Sequence, residues 1–169
     1  MDQNTDNKID IKDKLILFFK DNKLKIIIFT VIIFLLIISL LTLQVYNERK
    51  NNIISEKYIL AGIFLANNNK IDSKEILEEI VKSKNKFYSI LALNTILEKD
   101  LEKDKKKVLN YFGIVEKITD NKEKSDLLLF KKALYMMKNN EIQKGKQILQ
   151  QLIDNNSSIK IISTQILSN

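Results

Sequence analysis

Apolar residues are arranged in two different ways along this chain. From Ile26 to Asn47 there are 22 positions without a charge, and the core of that run, Ile26 to Leu43, holds 15 large apolar residues broken only by Thr30, Ser39 and Thr42. A helix built from it has no polar face. At about 1.5 Å per residue such a helix covers roughly 27–33 Å, the thickness of a hydrocarbon core. Each central Ile, Leu, Val or Phe favours insertion by about 0.3–0.6 kcal/mol, and three hydroxyls do not reverse the sum. A buried core helix is the competing reading, but it needs more apolar protein around it than the polar remainder supplies. The pattern predicts a transmembrane anchor over residues 26–47. A cleavable signal carries a shorter apolar run and a small-x-small site. Leu43-Gln44-Val45-Tyr46-Asn47-Glu48-Arg49 offers no such site, so the anchor is expected to stay uncleaved.

Elsewhere apolar residues recur three and four apart, which is helical spacing. Residues 1–10 are polar and read as disordered. Ile11 to Lys25 carries the patch Leu15-Ile16-Leu17-Phe18-Phe19 between lysines, and reads either as an interfacial amphipathic helix or as the first turns of one long helix. Beyond the anchor, Glu48 to Ala66 is predicted to continue as helix, with Ile54, Tyr58, Ala61 and Leu65 on one face. A second helix is expected from an Asp72 cap to about Lys84, burying Ile76, Leu77, Ile80 and Val81. A third covers Lys86 to Glu98, with Phe87, Tyr88, Leu91, Ala92, Thr95 and Ile96 inward. The mixed-sign stretch Asp100 to Lys107 reads as a turn and a solvated helix start. Val108–Ile118, Asp126–Lys138 and Glu141–Ile153 follow as helices, with breaks at Asp120–Ser125 and Asn139-Asn140. A short helix, Ile159 to Leu167, ends the series.

A repeat runs through these helices. Small residues Gly62, Ala92 and Ala133 each have a larger one four before (Tyr58, Tyr88, Leu129). A large apolar residue follows 15 or 16 positions later (Leu77, Val108, Leu149), and another three beyond that (Ile80, Tyr111, Leu152). A small residue lets two helices approach closely, and bulky neighbours fill the groove between them. The small residues lie 30 and 41 apart, bracketing the helical-hairpin period of about 34. The spacing resembles the tetratricopeptide pattern, without its turn proline and with Gly145 as the one good match to its second-helix alanine. The expected fold is therefore all-α: one N-terminal transmembrane helix, about three tetratricopeptide-like antiparallel hairpins, and a short capping helix. The expected organisation is an arm over 1–25, an anchor over 26–47 and a repeat domain over 48–169. A plain bundle with hairpins of similar length is the competing reading.

Composition narrows the chemistry. Proline, cysteine and histidine are all zero, and glycine is three. So few breakers fit an all-helical chain. Without His or Cys there is no imidazole base, thiolate nucleophile, disulfide or Cys/His zinc site. Net charge is +7, but arginine occurs once, at Arg49, and Ile, Lys and Asn make up 73 of 169 residues. Readers of nucleic acid use the arginine fork, so no nucleic-acid partner is expected. Five lysines (Lys12, Lys14, Lys20, Lys23, Lys25) precede the anchor, and three basic residues (Arg49, Lys50, Lys57) follow it within residues 48–65. That asymmetry predicts a cytoplasmic N-terminus and, in a bacterium, a periplasmic C-terminal domain.

Candidate catalytic groups reduce to local structure. Ser73-Lys74 and Ser83-Lys84 are neighbours on a helix and do not face each other. Glu78-Glu79 is a polar face, and Gly62, Gly113 and Gly145 stand alone rather than in a phosphate-binding loop. No catalytic, cofactor-binding or metal-ligating residue is expected, nor a small-molecule substrate. The expected function is binding. Tyr46, Tyr58, Phe64, Tyr88 and Tyr135 are candidates for partner contact, with Tyr58 and Tyr88 better placed for packing between helices.

The layout also resembles the bacterial single-pass ancillary subunits of the Sec translocon. The resemblance rests on Phe18-Phe19-Lys20-Asp21-Asn22-Lys23 before the anchor, Ser55-Glu56-Lys57-Tyr58 after it, Tyr88-Ser89-Ile90-Leu91-Ala92-Leu93, and a late hairpin from Leu127 to Leu152. The family's glycine before the membrane is replaced around Asn22, and its alanine-rich helices are Ile- and Lys-rich here. The resemblance implies an inner-membrane interaction module whose partners are Sec translocon subunits and periplasmic chaperones. A scaffold for another inner-membrane complex, in cytochrome c biogenesis or cell division, has the same layout.

Overall fold

The helices of this chain end without glycine or proline. In the computed structural model, which describes residues 11–168, the elements are α1 (Ile11–Asp21), α2 (Lys23–Ala66), α3 (Lys70–Lys82), α4 (Tyr88–Glu98), α5 (Lys105–Ile118), α6 (Lys122–Lys138), α7 (Ile142–Asp154) and α8 (Lys160–Ser168). The protein is all-α across these residues. The disorder expected for residues 1–10 lies outside the described residues. Five non-glycine residues adopt positive φ, and each stands between two helices: Asn68, Lys84, Asp100, Asn140 and Asn156. Asn and Asp tolerate the left-handed region better than other residues with a Cβ. At four of the five turns the next residue's N–H reaches back five positions: Asn69 to Phe64 O at 2.8 Å, Leu101 to Ile96 O at 3.0 Å, Glu141 to Met136 O at 2.9 Å, and Ser157 to Leu152 O at 3.0 Å. These bonds satisfy carbonyls that a helix C-terminus leaves orphaned.

The starts of α3, α5 and α6 carry side-chain caps. Asn69, not Asp72, caps α3: its Oδ1 accepts from Asp72 N at 3.3 Å, and its Nδ2 donates to Asp72 Oδ2 at 2.6 Å. The expected Asp72 cap is thus the third helical residue of a reciprocal pair. Asp104 caps α5 by accepting from Lys106 N at 2.8 Å and Lys107 N at 3.3 Å. Asn121 caps α6 by accepting from Lys124 N at 3.2 Å, so that helix begins at Lys122 rather than Asp126.

The chain divides after Arg49 into two units. In the first, the apolar stretch of α2 is long and apolar enough to cross a membrane, and none of its hydrophobic window is buried within the protein. Thr30 Oγ1 donates to Ile26 O at 2.9 Å and Thr42 Oγ1 to Ser39 O at 2.8 Å, so these hydroxyls are satisfied inside the helix. In the second unit, Ile54 and Ala61 of α2 join Leu77, Ile80, Val81, Ala92, Leu93, Ile96, Val108, Tyr111, Phe112 and Val115 in one core. A smaller cluster, Ala133, Leu149 and Leu152, is covered by Leu129 of α6 and by Ile166 and Leu167 of α8.

Burial follows the small and large positions named above, with one correction. Ala92 and Ala133 are fully buried, as are Leu77, Val108 and Leu149, with Ile80, Tyr111 and Leu152 nearly so. Gly62 instead lies on an exposed face with nothing within 4 Å of where a Cβ would stand, and its neighbour Ala61 is the buried small residue. Gly145 does mark a close approach: an added Cβ would stand 2.7 Å from Ala133 O and overlap the Met137 side chain. Phe87, expected inward, is 60% exposed. It precedes the first turn of α4, which starts at Tyr88 because Asn85 Oδ1 accepts from Phe87 N and Tyr88 N.

Candidate interaction surface

α6 repeats Lys, Leu and Lys along one face. Lys124, Leu127, Lys131, Leu134 and Lys138 follow at intervals of three and four residues, which places them on one side of a helix. That side faces α4. Lys131 Nζ donates to Asn94 Oδ1 at 2.8 Å, and this bond stands between two recesses. One has a volume of about 440 Å³, with Leu97, Val108, Leu134, Tyr135 and Lys138 on its wall. The other has about 300 Å³, bounded by Phe87, Ile90, Leu91, Ile118 and Leu127. Leu127 and Leu134 are 46% and 38% exposed, so this face of α6 is not used up by packing. Lys86 closes one end through an ion pair with Asp120 at 2.6 Å, and Lys103 pairs with Asp100 at the other.

On the wall of the first recess lies a buried carboxylate with its ionic partners. Glu102 is 7% exposed, where a solvated turn was expected. Leu101 beside it is buried because the left-handed turn at Asp100 folds it onto the core. Glu102 Oε2 lies 2.8 Å from Lys74 Nζ and 3.5 Å from Lys107 Nζ, and Oε1 accepts from Asp104 N at 2.8 Å. Burial pushes the carboxyl up, but the Lys74 ammonium, the Asp104 N–H and Lys107 together outweigh it and hold the group at about 2. Lys74 is raised in turn, chiefly by Glu102. This cluster ties α3 to the loop before α5.

The residues singled out by sequence scatter. Ser73 is fully buried, Lys74 serves Glu102, and Ser83 Oγ donates to Ile80 O at 2.7 Å. Tyr58 is half-buried, its hydroxyl 3.1 Å from Thr95 Oγ1 and its ring 5.9 Å from that of Tyr88, so both tyrosines are packing groups. Phe64 is half-buried, and Tyr46 is exposed on the first unit. Only Tyr135 lines the α4–α6 cleft, and its ring lies 6.0 Å from Phe112. Burial pushes its phenol up, with Asp100 adding to the shift. The lysine row is the feature that sequence reading passed over, although its seven-residue interval is visible there. Comparisons with family models, with curated proteins and with solved structures return no match.

Proposed function

We propose that this chain is a non-enzymatic, membrane-anchored protein–protein interaction module of the bacterial inner membrane. Its N-terminus lies in the cytoplasm and its helical domain in the periplasm, beside the Sec translocon, where it helps periplasmic chaperones receive exported chains. The observation that carries this reading is the union of one apolar anchor helix with a regular series of helices. Left-handed turns fall at 68, 84 and 100, and again at 140 and 156, an interval of 16 residues each time. That rhythm, with Ala92 and Ala133 buried at the helix contacts, supports a tetratricopeptide-like stack of hairpins. The Sec partnership rests on the resemblance at Phe18–Lys23 and Tyr88–Leu93. The mechanism needs no bond chemistry: the anchor raises the local concentration of the domain beside a membrane complex.

Co-purification from gently solubilised membranes is the test. Recovery of translocon subunits and periplasmic chaperones with the tagged chain is the expected result. Recovery of cytochrome c assembly or cell-division proteins in their place would transfer the module to that machinery.

A further inference from the structure

We propose that the α4–α6 cleft holds an acidic, amphipathic segment of a partner protein, its carboxylates meeting Lys124, Lys131 and Lys138 and its apolar side chains entering the two recesses. The inference rests on reading this domain as an interaction module and adds the chemistry of the partner.

Charge decides the occupant. Most cross-helix lysines of the domain already hold a carboxylate: Lys57 with Glu79, Lys74 with Glu102, Lys86 with Asp120, Lys105 with Glu141 and Lys132 with Glu116. Lys99 and Lys117, elsewhere on the domain, also lack a carboxylate within 4.0 Å, but the three lysines of the row stand beside the recesses. Among the described residues, no carboxylate lies within 4.0 Å of any of them, and only Lys131 has a partner, the neutral Asn94. The acids along the cleft are already engaged, Asp120 by Lys86, Asp100 by Lys103 and Glu102 by Lys74, which leaves Glu98 as the one acid there without a cation within 4.0 Å. Lys138 and Lys124 still act on Asp100 and Asp120 at longer range, and the two recesses together are lined by five lysines and four acids, so the cleft carries a small positive excess beside exposed apolar side chains.

Geometry sets the spacing. Seven helical residues rise about 10.5 Å, so the ammonium groups recur at roughly that interval. A helical ligand matches it with an acid every seventh residue, and an extended one with an acid about every third. Between the acids, apolar groups fit the recesses of about 440 and 300 Å³ that flank the Asn94–Lys131 bond. A headgroup layer is flat and does not enter recesses between two helices.

The test uses the full chain in a neutral detergent and fluorescence anisotropy. The probe is a labelled peptide with three glutamates at seven-residue intervals and leucines three and four positions after each. A second peptide carries glutamine for every glutamate. The glutamate peptide is expected to bind on the order of tenfold tighter, with an advantage that shrinks as salt rises. The triple variant Lys124→Glu, Lys131→Glu, Lys138→Glu should lose that advantage and bind a lysine version of the peptide instead, which a misfolded chain could not do. Equal binding of the glutamate and glutamine peptides overturns the proposal. So does glutamate-dependent binding that survives the triple reversal. So does displacement of the peptide by phosphatidylglycerol in the micelle, if lipid binding is itself lost on reversal. Failure of the peptide test while translocon subunits still co-purify removes the cleft assignment and leaves the proposed function. Peptide binding as expected without those subunits does the opposite.

Discussion

The apolar stretch of α2 and the short helix α7 both carry large aliphatic side chains, and they use them in opposite ways. Along α2 from Ile27 to Leu43 these side chains are exposed on every side, between 40% and 67% of each. Along α7 the buried residues are Gly145, Leu149 and Leu152, at intervals of four and three, and the exposed residues are polar apart from Ile142 at its start. An apolar stripe asks for another protein surface, and α7 finds one in α6 and α8. An apolar surface all round has no stripe to dock, so it asks for a different solvent.

The sharpest way to break this contrast is to charge α2. Ile33→Lys with Ile37→Lys places two ammonium groups near the middle of the stretch, at a cost of roughly 2.5–3.5 kcal/mol each for insertion. The chain should leave the membrane fraction on alkaline washing. Retention would mean that α2 is not held by lipid. On the α7 side, Leu149→Ala removes a fully buried side chain and should cost about 2–5 kcal/mol in a thermal melt of the solubilised chain, without moving it out of the membrane. A loss well under 1 kcal/mol would show that α7 does not depend on its stripe.

Acid probes the buried charge that neither kind of helix explains. Glu102 sits at about 2, below an ordinary glutamate at 4.5, so its ionised form is preferred in the folded chain. Its contribution is complete above about pH 5 and is lost as pH falls through 2, on the order of 3 kcal/mol. Glu102→Gln should flatten stability across that window, and an unchanged acid slope would contradict the burial of the pair. The smallest effects separate two glycines. Gly145→Ala should destabilise by about 1–2 kcal/mol because the added methyl meets Ala133 O, while Gly62→Ala, facing open space, should stabilise by about 0.5–1 kcal/mol. Equal shifts at the two sites would mean that α6 and α7 are not closely apposed there.

Much of the fold was legible in sequence because periodicity reports burial. Ala92, Ala133, Leu77, Val108 and Leu149 could be placed inward from spacing alone. The turns were less legible. Asn68, Asn140 and Asn156 sit in asparagine clusters that mark a break, but which residue takes the left-handed region depends on the carbonyls it must leave free. Charge misled at Glu102, since a mixed-sign run reads as solvated until the fold brings Lys74 of α3 beside it. Gly62 misled because two adjacent small residues, Ala61 and Gly62, point to different faces. The cleft was the least legible part: the lysine row lies on α6 in plain view, but its meaning comes from α4 opposite, about 40 residues earlier in the chain.

The proposed function puts the helical domain outside the cytoplasm. The native chain has no cysteine, so Ser168→Cys introduces a single thiol near the end of the described helices. Intact cells whose envelope admits a membrane-impermeant maleimide should label this thiol without lysis of the inner membrane. Labelling only after lysis would put the helical domain in the cytoplasm and contradict the account.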